Sequence, residues 1–280
     1  MRTVLTIAAL TLQEGSRRRV LRSLAVLTAV LLGLSAWGFS EIAADYGGLT
    51  SGEAKVAGST VLNLVMFGFS LIAALGTAFL AGPTLSGEVE SGVALAMMTR
   101  PIRRVQVLAG KWLGLVAFGA GFVTVAGVAQ FVIVRVTVDY WPPHPVTGLL
   151  LLAGQTAALL TLGLLFSTAI SPMASGIVAV GLFGATWIAG VVGSVGDALG
   201  NPSVAMVGTV SRMLLPTDGL WRGAMNSFQD PALLAQVGSG VEESPFLSMQ
   251  PLTWVYLVWA AVWTALVLGL AALSFQRRDL

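Results

Sequence analysis

Cysteine is absent from the 280 residues, and histidine occurs once, as His144. Without cysteine there are no disulfides and no thiolate metal sites. Without a second histidine, His144 has no partner for a catalytic triad or a zinc site. Charge is scarce as well, at 10% of residues against roughly a quarter in soluble domains. A chain that is also 56% hydrophobic would, in water, expose apolar patches too large for a soluble surface. No phosphate-binding loop is present: Gly110-Lys111 is followed by Trp112 rather than Ser or Thr and lacks a Gly-rich run before it. The chain is therefore expected to have no ATP site of its own and not to be an enzyme. The pI of about 9.4 accompanies a net charge of only +2. The basic residues sit beside apolar runs, where they read as membrane anchors rather than a nucleic-acid surface. A cleaved signal peptide is not expected, because the basic run Arg17, Arg18, Arg19 follows a short apolar stretch with no small-x-small site between them.

Long apolar runs are what the sequence does contain. A membrane span needs roughly 20 such residues, and six segments qualify: 24–40, 60–82, 112–134, 146–170, 174–195 and 252–275. The fold class is thus an all-α membrane protein, a single transmembrane domain over 1–280. The fourth and fifth spans, separated by Ser171-Pro172-Met173, should form a tight hairpin. Residues 1–16 alternate Val4, Leu5, Ile7, Ala8, Leu10 and Leu12 with polar side chains. This fits a helix lying in the membrane interface, the alternative being an irregular tail. The segment 196–251, cut by Pro202, Pro216, Pro231, Pro245 and Pro251, should form short extracellular helices between spans five and six.

Lys and Arg set the orientation. With the N-terminus inside, the cytoplasmic pieces hold 11 of the 15 basic residues and the outer pieces hold 4. Both termini are therefore expected in the cytoplasm of a multi-pass inner or plasma membrane protein. Arg17, Arg18, Arg19, Arg103, Arg104 and Lys111 are expected to anchor span ends at the lipid headgroups. The span interiors hold no ionisable side chain, whereas proton relays and ion-coupled carriers usually bury some. Their polar residues are milder. Asn63, Gln130 and Gln155 are expected to hydrogen-bond between helices, with substrate contact the alternative for Gln155. Glycines of the fifth span suit close packing. Met206, Met213, Met225 and Met249 fall in the outer segment; thioethers bind soft copper, but without Cys or a second His they read as flexible packing, and no metal site is assigned.

The informative stretch is 83–111. Glu88-Val89-Glu90-Ser91-Gly92 is followed by an apolar run to Met98, then Arg100-Pro101-Ile102-Arg103-Arg104 and Gly110-Lys111. The second span should end at Gly82-Pro83, with an acidic turn, a short helix of about 88–98 broken at Pro101, and a basic helix leading into the third span. An ordinary cytoplasmic loop is the bland alternative.

Glu-x-Glu-Ser-Gly, the apolar run, Arg-Pro-x-x-Arg and Gly-Lys together resemble the loop between spans two and three of type-2 ABC exporter permeases. Leu12-Gln13-Glu14 leading to Arg17-Arg18-Arg19, and the ending Phe275-Gln276-Arg277-Arg278-Asp279-Leu280, are similar to the same family. Leu215-Pro216-Thr217-Asp218 with Trp221-Arg222 resembles its NosY-like subgroup, with Leu215 where that subgroup usually has Asn. The resemblance implies the membrane subunit of an ATP-driven exporter that forms the translocation path with a second permease copy, as a homodimer or paralogous heterodimer. A separately encoded ABC ATPase would dock on Glu88, Glu90, Ser91, Gly92, Arg100 and Pro101. No cofactor is implied; membrane lipids are the remaining partner. The alternatives are an ATP-independent transporter or channel and a non-transporting assembly factor. Thr217 or Asp218 is expected to cap a short extracellular helix, with substrate contact as the sharper alternative for Asp218.

Overall fold

The computed structural model describes residues 2–17, 19–45, 52–90, 103–231, 248 and 251–277. Among the described residues the chain is helical and without strands. In chain order the helices are α1 (Arg2–Arg17), α2 (Arg19–Asp45), α3 (Gly52–Glu90), α4 (Arg104–Val138), α5 (Pro145–Ser167), α6 (Pro172–Ala198), α7 (Pro202–Leu214), α8 (Thr217–Phe228) and α9 (Trp254–Arg277). Six of these, α2 to α6 and α9, are long and apolar enough to cross a membrane. One end of the bundle, carrying α1, the end of α3 and the start of α4, is called the base below; the opposite end is the crown.

Local sequence sets several helix starts. Pro145, Pro172 and Pro202 each occupy a first-turn position, where a missing N–H costs nothing. Asn201 caps α7 through Oδ1, which accepts from the Ser203 and Val204 amides at 3.1 and 3.3 Å. Gly200, at φ +62°, makes the left-handed turn between α6 and α7 that a side chain would resist.

The central spans α3 and α5 are largely enclosed, while α2 and α9 are peripheral and show apolar faces such as Val30, Leu34, Leu266 and Leu270 outward. In water such faces would be a liability; against lipid tails they are the expected surface. The crown half of the core packs Phe39, Met66, Phe69, Phe131, Leu152, Trp221 and Phe228; the base half packs Leu80, Leu85, Leu108, Leu115, Leu164 and Phe275. Between helices, Ser70 Oγ donates to Gln155 Oε1 at 3.0 Å and Gln130 Nε2 to Ser35 Oγ at 2.6 Å. Both glutamines thus tie one span to another, as amide side chains in apolar surroundings must.

Two features depart from expectation. First, α3 does not stop at Gly82-Pro83 but continues through Pro83 to Glu90. Its 39 residues, at about 1.5 Å each, reach ~58 Å, well beyond a hydrocarbon core of about 30 Å. Proline inside a helix removes a backbone bond and crowds the preceding turn; here a side chain from α5 braces the disrupted turn, as set out below. Second, the short helices between spans five and six are present as α7 and α8, but they do not stand clear of the bundle. From Gly200 α7 turns back alongside α6, and α8 returns toward the crown. Ser211 Oγ donates to the Thr186 carbonyl, and Trp263 Nε1 donates to the Leu214 carbonyl at 2.8 Å. Thr186 is the fifteenth of the 27 residues of α6, and Trp263 the tenth of the 24 of α9. The tip of the α7–α8 hairpin is therefore level with the middle of the spans.

Candidate functional site

Two polar clusters stand out in an otherwise apolar bundle, one at the base and one in the crown half, reaching down to mid-span. The crown cluster is built on the hairpin. Asp218 is 3% exposed. Arg222, one helical turn later, donates from Nε to Asp218 Oδ2 at 3.0 Å and from Nη2 to the Gly190 carbonyl of α6 at 2.7 Å. Arg212 approaches the same carboxylate oxygen at 3.6 Å and donates from Nε to the Gly208 carbonyl at 3.1 Å. Gly190 lies directly against the carboxylate, and a Cβ there would overlap it. Thr217 Oγ1 meets Thr186 Oγ1 at 3.2 Å, and Tyr256 Oη donates to the Arg212 carbonyl at 3.0 Å. At the top of α8, Tyr140 Oη donates to the Phe228 carbonyl at 2.6 Å, and the His144 amide donates to the Ser227 carbonyl at 3.1 Å.

Burial pushes the Asp218 carboxyl above the usual carboxylate range, while Arg222 and then Arg212 pull it back. Burial, with Arg222 alongside, draws Arg212 below its ordinary value. Two guanidiniums share one carboxylate, and Asp197 of α6 is a further acid near Arg212. This corrects two expectations. Thr217 and Asp218 do not cap α8: Pro216 holds the cap position without a side-chain bond, and the carboxylate is taken by the guanidiniums instead. The span interiors do lack ionisable groups of their own, but the hairpin carries Arg212, Asp218 and Arg222 down among them. The absence of intramembrane charge therefore no longer counts against a carrier. Of the methionines, Met225 is buried in the core, Met206 and Met213 are exposed on α7, and Met249 lies outside the described residues. His144 is exposed and precedes α5.

The base cluster holds the end of α3. Ser167, the last residue of α5, accepts at Oγ from the Leu85 and Ser86 amides at 3.2 and 3.1 Å and donates to the Gly82 carbonyl at 2.7 Å. Those groups flank Pro83, so one hydroxyl braces the turn that the proline disturbs. From the other side, Lys111 Nζ donates to the Thr84 carbonyl at 3.0 Å. Lys111 is 4% exposed. It is therefore not a headgroup anchor, as the sequence suggested: its ammonium is turned inward onto α3. Arg104 Nη1 donates to the Phe275 and Gln276 carbonyls at 3.2 and 3.1 Å. Cations at such helix ends offset the dipole and satisfy last-turn carbonyls. Thr168 Oγ1 donates to Ser274 Oγ at 2.7 Å, a second link to α9.

Helix α1 lies across this cluster. A Cβ on Gly110 would fall 2.9 Å from the Val4 carbonyl oxygen, and one on Gly114 would fall 2.6 Å from that of Ala8. Two glycines four residues apart let the helix backbones touch, a spacing readable in the sequence as Gly110-Lys111-Trp112-Leu113-Gly114. Glu14, Thr84 and Lys111 line one small cavity between α1, α3 and α4. On its other side α1 exposes Leu5, Leu10 and Leu12.

The remaining expected residues are less informative. Glu88 and Glu90 end α3, and Arg17 and Arg19 lie at the adjoining ends of α1 and α2. Arg103 is exposed just before α4, its amide facing Gln106 Oε1 at 3.4 Å. Arg18, Ser91, Gly92, Arg100 and Pro101 lie outside the described residues.

Residues 6–280 match the family model described as ABC-2 family transporter protein. Two relatives are similar over part of the chain, both named as probable ABC transporter permease protein NosY. That of Pseudomonas aeruginosa is 41% identical over 114 residues, covering 41% of this chain and 39% of the relative. That of Stutzerimonas stutzeri is 33% identical over 135 residues, covering 45% of this chain and 46% of the relative. The matches thus span less than half the length of either relative. With nearly the whole chain inside the family model and six candidate spans in the fold, the protein belongs to the ABC-2 transporter family as a multi-pass membrane subunit.

Proposed function

We propose that the chain is the permease subunit of an ATP-driven exporter: two copies, or this chain and a paralogue, enclose the path, and each docks a separately encoded ABC ATPase at its base. The base faces the cytoplasm with both termini, and the crown faces outward, in the cell membrane. The chain itself hydrolyses nothing. The observation that carries this reading is the grip on the end of α3. A helix that projects toward Glu88 and Glu90, held by Ser167 on one side and Lys111 on the other, is a stiff lever. A push on Glu88, Glu90, Ser91, Gly92, Arg100 or Pro101 would pass into α4, α5 and, through Arg104, α9. Arg17, Arg18, Arg19 and Arg103 would hold the base at the headgroups, and α1 would lie in the interface with Leu5, Leu10 and Leu12 toward lipid.

Reversing both charges, Glu88→Arg with Glu90→Arg, tests the docking assignment. The variant should insert and pair normally but lose its co-purifying ATPase. An unchanged yield of complex and normal transport would show that the acidic residues are only a solvated end. Orientation is tested separately with single cysteines at exposed positions: Arg103→Cys should react with impermeant maleimide only from the cytoplasmic side, and His144→Cys only from outside. The reverse pattern would invert the assignment.

A further inference from the structure

A groove of about 640 Å³ runs along the hairpin between α6, α7 and α9, walled by Leu182, Ala189, Val207, Val210, Leu214 and Trp263. It is within the usual size of ligand sites, about 300–1,000 Å³. Its polar atoms are already engaged. Thr186 Oγ1 donates to the Phe183 carbonyl at 2.9 Å, Ser211 Oγ to the Thr186 carbonyl, and Trp263 Nε1 to the Leu214 carbonyl. The walls thus offer a guest no unmet hydrogen bond, and a polar guest would lose its hydration for nothing in return. The depth matches: Thr186 and Trp263 lie at mid-span, so the medium at the mouth is hydrocarbon.

The crown end differs. Ser203, in the first turn of α7, lines the groove there and is exposed. Met206 is shared with a second, more polar pocket lined by Asp197, Asn201 and Thr209. Asp197 is the charged side chain of that pocket. An apolar slot that opens at one end onto hydroxyl, amide and carboxylate groups fits an amphiphile with its tail inward and a cationic group at its head.

We propose that this groove is a phospholipid site: it holds one acyl chain of a crown-side-leaflet lipid whose headgroup carries an ammonium, steadying the α7–α8 hairpin against α9. Bound lipid would lie along the hairpin beside α9, next to the Tyr256–Arg212 and Trp263–Leu214 bonds.

The test is native mass spectrometry of the full chain, purified in detergent and supplied with equal amounts of phosphatidylethanolamine and phosphatidylglycerol. One phospholipid per chain should be retained, with the ethanolamine lipid favoured several-fold. Val207→Trp and the milder Ala185→Leu, both on the groove wall, should lower retention at least tenfold, whereas Leu270→Trp, exposed elsewhere on α9, should keep it. Asp197→Asn should keep a lipid but equalise the two headgroups. Failure of the wild-type chain to retain stoichiometric lipid, or retention by both groove variants at the wild-type level, would overturn the proposal. So would groove variants that change self-association while lipid retention stays constant, because the groove would then be covered by a second copy.

Discussion

The two polar clusters solve different problems with different chemistry. At the crown, ion pairs hold a hairpin that has no continuous span of its own, with one buried carboxylate drawing α6, α7 and α8 to a point. At the base, the contacts are cations and hydroxyls on backbone carbonyls and amides: Lys111 on Thr84, Arg104 on Phe275 and Gln276, Ser167 on Leu85, Ser86 and Gly82. A buried ion pair is costly to break because removal of one partner strands the other. Contacts to the backbone are weaker singly, but here several of them converge on one turn of α3. On the proposed function, the crown is built to stay together and the base to transmit.

Asp218→Ala is the sharpest way to break that contrast. It strands two guanidiniums, and loss of one partner of a buried pair typically costs about 3–5 kcal/mol. Thermal unfolding in detergent should show a larger drop than for any single base substitution, and removing Arg222 as well (Asp218→Ala with Arg222→Met) should recover part of it. If Asp218→Ala unfolds at the wild-type temperature, the pairing does not hold the hairpin. Next in size is Gly114→Leu, which forces a side chain against the Ala8 carbonyl; overpacking of this kind costs about 1–3 kcal/mol. Hydrogen exchange over residues 2–17 should rise while the spans stay protected. Lys111→Met should be milder. The lost charge-assisted bond, about 1.5–3 kcal/mol, is partly offset because a buried ammonium is no longer desolvated. Ser167→Ala removes a hydroxyl that makes three hydrogen bonds at this turn, at a cost of about 1–3 kcal/mol.

The six spans were legible because lipid-facing and buried helices alike need long apolar runs, and these runs are uninterrupted. The hairpin was not. Its two helices, 13 and 12 residues long and bounded by prolines, carry no span-length apolar stretch. Their partners, Thr186, Gly190 and Trp263, are distant in the sequence. Asp218 looked like a cap because acids favour helix starts, but Arg222 stands four residues on, a spacing at which side chains meet. That pair was the available signal for an ion pair instead. Lys111 misled for a related reason: a basic residue beginning an apolar run ordinarily faces headgroups, and only the packing of α1 over Gly110 and Gly114 closes that side. Nothing local in the sequence indicates that α3 continues past Pro83, since the brace comes from Ser167, more than eighty residues away.

On the proposed function, the base cluster joins the end of α3 rigidly to the rest of the bundle, so that an ATPase bound there drives the spans. The most direct measurement is ATP hydrolysis by the reconstituted complex carrying Lys111→Met with Ser167→Ala, compared with wild type at equal amounts of bound ATPase. The account predicts that the ATPase still binds but that hydrolysis no longer drives transport. Full coupling in the double variant, with transport per ATP unchanged, would contradict it.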